Sequence, residues 1–95
     1  MSGGYFDYEQ YKIGQIADQV KHLILTNNSV ELDKYGYNRN HSYSEETIAE
    51  FKKGLYYLQQ AQIYAQRIDW LASDDDNEDS FRERLKQDIL ELKNE

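Results

Sequence analysis

Five carboxylates crowd the segment Asp74, Asp75, Asp76, Glu78 and Asp79. A hard cation such as calcium seeks such a cluster, because it wants several convergent oxygens. The spacing argues against that use. An EF-hand loop begun at Asp74 carries Ser80 at its seventh position, Arg82 at its ninth and Leu85 at its twelfth, with no glycine at the sixth. The bidentate ligand and the sharp turn are both missing. What remains is a solvated loop whose acids favour the positive N-terminal end of a following helix. The run still shapes the field, because residues 73–95 hold nine acids against four bases.

Other groups that could do chemistry are few. His22 and His41 are the only imidazoles, and no HExxH or HxH spacing gathers them with help, so no metal site is expected. The absence of cysteine removes disulfides, zinc fingers and thiol nucleophiles together. No glycine-rich loop runs into Lys-Ser or Lys-Thr and no GxSxG occurs. The expectation is a protein without catalytic residues and without a cofactor.

Aromatic residues are more informative. Tyr5, Phe6, Tyr8 and Tyr11 place four rings within seven residues, directly after Gly3-Gly4. A free tail has no need of them, so the arm is expected to be ordered, either folded back over the helices or presenting a Tyr-rich contact surface. Trp70 is the only tryptophan. It reads as a core residue closing one end of the fold, with Phe81 and the Tyr35-Gly36-Tyr37 stretch as neighbours; exposed, it is a binding hot spot. Arg67 and Asp69 are two residues apart, face different ways on a helix and need separate partners.

These groups must be positioned by helices. The chain lacks proline, and three segments carry a helical apolar period. The first starts after Asp7, as a cap for Glu9 or Gln10, and carries Ile13, Ile16, Ala17, Val20, Leu23 and Ile24. The second opens behind Ser42 or Ser44 and runs Ile48, Phe51, Leu55, Leu58, Ala61, Ala65, Ile68 and Ala72. Spanning about 28 residues, it is roughly 42 Å long, and Tyr57, Ile63, Tyr64, Trp70 and Leu71 give it a second apolar face. The third follows a cap at Asn77, Asp79 or Ser80, the last forming a capping box with Glu83, and carries Phe81, Leu85, Ile89 and Leu92. Between the first two lies a stretch from Asn27 to Tyr43, too rich in Asn, Gly and Tyr to be helical throughout. The expected fold is all-α: one domain over residues 1–95, three helices with a long central one, an ordered arm and a long loop.

Size and charge bound the function. At 95 residues and 11.3 kDa a large enclosed catalytic cavity is not expected. A net charge of −7, with no Lys/Arg cluster against it, argues against direct nucleic-acid binding. No apolar run approaches 18 residues and no basic-then-apolar leader opens the chain, so the expectation is a cytoplasmic protein with no membrane partner. The two apolar faces of the second helix point to self-association as a homodimer.

Several stretches together resemble a family. They are Ser2-Gly-Gly-Tyr-Phe-Asp-Tyr8 with Gln10-Tyr11, Tyr43-Ser44 with Glu46-Thr47-Ile48, Ala65-Gln-Arg-Ile-Asp-Trp-Leu71, and Ser80-Phe81 with Glu83-Arg84-Leu85. They are similar to a family of small uncharacterised proteins of bacterial and phage or prophage genomes, over nearly the whole chain. Members of that family carry Ser-Gly-Asp-Asp-Gly-Glu in the acidic loop, where this chain has Ser73-Asp74-Asp75-Asp76-Asn77-Glu78. The resemblance implies a phage or mobile-element setting, in which small acidic proteins act as stoichiometric inhibitors of host defence.

Two functions are then expected. The first is an inhibitor that contacts a bacterial protein, such as a nucleic-acid-binding defence complex, through Tyr5, Phe6, Tyr8 and Tyr11 beside Asp74, Asp75, Asp76 and Asp79. The second is a binder that sequesters a nucleotide signal, with Tyr11 stacking on a base and Lys12, Arg39 or Arg67 meeting phosphates.

Overall fold

The computed structural model describes residues 4–38 and 40–94. Its helices are α1 (Tyr11–Thr26), α2 (Glu45–Ala72) and α3 (Glu78–Lys93), and among the described residues there is no strand. The protein is all-α, with a long loop between the first two helices.

Local chemistry sets the helix ends. Ser44 caps α2, its hydroxyl accepting the Thr47 N–H, and Glu45 and Glu46 occupy the positive first turn. Asn77 caps α3 by accepting the Ser80 N–H, so the box at Ser80 and Glu83 is not the start of that helix. The start of α1 differs from expectation. Asp7 does not cap it: Asp7 and Tyr8 both lie in the left-handed region, at φ 55 and 67, in a turn closed by the Glu9 N–H on the Phe6 carbonyl. The helix begins only at Tyr11, and Gln10 precedes it without a side-chain cap.

The end of α2 is a Schellman motif. The Asp75 N–H reaches back to the Trp70 carbonyl at 2.8 Å and the Asp74 N–H to the Leu71 carbonyl at 3.1 Å. That closure requires a left-handed residue between helix and loop, and Asp74 supplies it at φ 63.

The loop before α2 is closed by side chains. At its base the Asn27 carboxamide accepts the Tyr43 N–H and donates to the Tyr43 carbonyl. At its tip Asp33 Oδ1 accepts the N–H groups of Tyr35 and Tyr37, and Gly36 takes φ +83 between them. A polar ring of this kind replaces the apolar contacts that a compact loop otherwise uses.

Both shorter helices run antiparallel to α2 and pack on it, but not on each other. Gly14 of α1 lies against Gln62 and Gln10 donates to the Gln66 carboxamide, while Arg67 joins α3 at Asp88. The result is a slab of 52 × 32 × 16 Å with a radius of gyration of 17.3 Å, where a compact chain of this length has about 12 Å. Its accessible surface, 7347 Å², exceeds by about 1,600 Å² the roughly 5,700 Å² expected for its mass. Among the described residues Ala17 is the only buried apolar one. The helices are therefore ordered by their caps and by rows of half-buried side chains rather than by an enclosed core.

The αL position at Asp74 yields a signed expectation. Glycine has no Cβ to strain there, so Asp74→Gly should stabilise the fold by up to about 1 kcal/mol. Thermal unfolding should show a midpoint raised by a few degrees; a lowered midpoint would show that the Asp74 side chain contributes more than its backbone strain costs.

Candidate functional site

The C-terminal turn of α2 gathers three parts of the chain. Asp69, only 4% exposed, faces away from Arg67, and its Oδ1 accepts the Phe6 N–H at 2.9 Å. One turn on, the Ser73 hydroxyl accepts the Tyr5 N–H at 2.9 Å. Gly4, at φ +87, lies so close that an added Cβ would meet the Asp69 carboxylate oxygens at 2.9 and 3.0 Å. The arm is thus ordered from Gly4 onward and docked by backbone N–H groups on helix side chains. Its rings remain available: Tyr5 and Phe6 meet edge to face at 5.3 Å and Tyr8 lies 6.0 Å from Tyr11, with all three tyrosines exposed.

Because Ser73 adjoins Asp74, this docking sets the aromatic arm beside the acidic loop. The four expected acids differ in state. Asp74 and Asp75 are exposed, whereas Asp79 accepts from Arg82 at 2.6 Å on the first turn of α3. Asp76 is tucked in, its side chain 5% exposed. Its Oδ1 accepts the Asn77 N–H at 2.9 Å, and Arg84 stands off at 3.8 Å, too far for a hydrogen bond. Its Oδ2 is buried and has no hydrogen-bond partner among the described residues. An orphaned carboxylate oxygen is costly, and such groups call for an explanation.

Asp76 lines an open cleft of about 390 Å³ together with Trp70, Asp75 and Arg84. Trp70 is not the core residue expected from the sequence: 39% of it is exposed. The Tyr35-Gly36-Tyr37 stretch belongs to a loop anchored at the opposite end of α2, and both of its tyrosines are exposed. The neighbour of the Trp70 ring is Arg67, whose guanidinium carbon stands 5.1 Å from the ring centroid. Arg67 in turn forms a bidentate pair with Asp88, at 2.6 and 3.1 Å. The Asp88 hydrogen bonds hold the guanidinium further above its ordinary range, against a smaller opposing effect of burial.

The residues expected for a nucleotide are not gathered. Arg67 already gives two N–H groups to Asp88, and the cleft beside it is lined by Gln62, Ile63, Gln66, Trp70 and Asp88 as well, with neither Tyr11 nor Lys12. Lys12 pairs with Glu9 at 2.7 Å in solvent, which raises its ammonium pKa. Arg39 lies outside the described residues. Among the described residues no group of three or more His, Asp or Glu side chains could hold a metal ion, and no helix is long and apolar enough to cross a membrane.

Sequence reasoning passed over Ser73, Arg84 and Asp88, and singled out Asp69 only as a residue that needs a partner other than that of Arg67. The structure gives Arg67 and Asp69 the separate partners that their two-residue spacing requires: α3 for the first, the arm for the second. Against models of known families, curated proteins and solved structures, the chain finds no match.

The docking of the arm depends on Gly4 and Asp69, so Gly4→Ala or Asp69→Ala should release it. Chymotrypsin should then cut within residues 5–11 several-fold faster, while far-ultraviolet circular dichroism stays helical. Cutting rates equal to those of the unchanged chain would mean that these contacts do not hold the arm.

Proposed function

We propose that this chain is a non-enzymatic, acidic binding protein that inhibits a bacterial protein by occupying a basic surface, of the kind that otherwise holds nucleic acid. The observation that carries the reading is Asp76 Oδ2, orphaned beside the half-exposed ring of Trp70 and the free carboxylate of Asp75. A guanidinium or ammonium from a partner supplies the hydrogen-bond donor that this oxygen lacks and pairs with the exposed Asp75, beside an indole that already carries Arg67. Arg84 does not fill the role at 3.8 Å and, largely exposed, is able to give way. Tyr5, Tyr8 and Tyr11 then add short-range contact area around the charged anchor.

Charge supports the same reading at longer range. The excess of acids in residues 73–95 gathers at this end of the slab, and such a field steers encounter with basic grooves. The resemblance to small phage and prophage proteins supports a bacterial target and a stoichiometric mode of inhibition. The cytoplasm is the setting that goes with such a target.

Trp70, the only tryptophan, is the reporter. Stopped-flow mixing with an arginine-rich peptide should change its fluorescence at a rate that falls as salt rises. Replacing Asp74, Asp75, Asp76 and Asp79 by Asn should slow association several-fold at low salt, with the melting temperature moved by no more than a few degrees. An unchanged association rate in the four-Asn chain, or a nucleotide released from the natively purified protein, would overturn the proposal.

A further inference from the structure

The middle helix of the slab carries an uncovered row of its own. Along α2, Gly54, Tyr57, Ala61, Tyr64, Ile68 and Ala72 follow one another at spacings of three, four, three, four and four residues. Such steps bring side chains to one face, as in the seam of a coiled coil. Tyr57 is 60% exposed and Tyr64 47%, Ala61, Ile68 and Ala72 are exposed, and a Cβ on Gly54 would meet nothing within 4 Å. Neither α1 nor α3 lies on this row, since the half-buried positions between α2 and its two neighbours are others: Leu55, Leu58, Gln62 and Ala65 toward α1, Ile63 and Arg67 toward α3.

We propose that this row is the seam of a homodimer in which two α2 helices pack antiparallel about a twofold axis near residues 62 and 63. Two features select a second copy as the occupant. First, the row mixes large and small residues, and the antiparallel register sets Tyr64 over the partner's Ala61, Tyr57 over the partner's Ile68 and Gly54 against the partner's Ala72. The row is thereby complementary to itself, as an isologous interface must be. Second, the surface surplus of about 1,600 Å² per chain is twice the roughly 800 Å² per partner that a stable interface buries. A parallel pair would instead stack two acidic ends and set Tyr57 on the partner's Tyr57.

Sedimentation equilibrium at tens of micromolar tests the proposal. The unchanged chain should run at twice 11.3 kDa, and Ala61→Glu or Tyr64→Glu should run as a monomer. Since a monomeric variant risks unfolding, cross-linking gives the second reading. The chain has no cysteine, and positions 57 and 68 are about 16 Å apart along one helix, beyond any disulfide within a chain. Under oxidation the double change Tyr57→Cys with Ile68→Cys should give a covalent dimer and Tyr57→Cys alone should not. A monomeric unchanged chain overturns the proposal. So does a covalent dimer from Tyr57→Cys alone, or no cross-link from the double change.

Discussion

One continuous ladder of backbone hydrogen bonds, the 28 residues of α2, is what the other elements depend on. The two shorter helices meet it and never each other, so removing α2 leaves neither with a surface to pack on. An isolated helix of 16 residues is marginal in water. The chain's lack of proline thus matters most here: a break in the middle of α2 would separate the α1 half of the slab from the α3 half. Its two ends are fixed by opposite devices, the Ser44 hydroxyl at one and the left-handed Asp74 at the other. The second of these is also what turns the acidic loop back beside Trp70.

The helices were legible in the sequence because their signals are local. Caps at Ser44 and Asn77 and unbroken apolar periods need no knowledge of tertiary contacts. The start of α1 was not legible for the converse reason. Asp7 is a good capping residue, yet the Phe6 N–H is held by Asp69, and that distant bond fixes a left-handed turn at Asp7 and Tyr8 where a cap was expected. A non-glycine pair at positive φ is strained, and strain of this sort persists only where the surroundings over-determine it. The position of the arm is therefore a property of the end of α2 and not of the arm's own residues.

The faces of α2 were misread in an instructive way. Hydrophobicity alone assigns Ala61, Ile68 and Ala72 to the covered stripe, with a period near 3.4. A straight α-helix turns once in 3.6 residues, so a row that starts at Phe51 and Leu55 passes instead through Leu58, Gln62, Ala65 and Asp69. Two of those six are polar and escape any apolar count, yet Asp69 is the most buried residue of the helix and Gln62 is in contact with Gly14. The polar residues lie in the covered row because short α1 and the docked arm offer backbone N–H groups and a glycine surface there rather than more apolar area. Ala61, Ile68 and Ala72 are displaced onto the open face by the same drift.

The open face and the acidic corner lie on different parts of the molecule, and that separation has a mechanical consequence. In an antiparallel pair of α2 helices the two acidic corners point away from each other, separated by about the length of the helix, roughly 42 Å. Each keeps its own arm, its Trp70 and its orphaned Asp76, because none of these lies on the paired row. Like charges are thus held far apart compared with a Debye length of about 8 Å, so pairing adds little electrostatic repulsion at physiological salt. A dimer of this form presents two identical acidic ends at a fixed distance. Against a target with two basic grooves at matching separation, the second contact becomes intramolecular, and weak individual contacts sum to a long-lived complex. A rigid helix suits that task better than a flexible linker does, because the spacing it sets excludes targets whose grooves lie closer together or further apart.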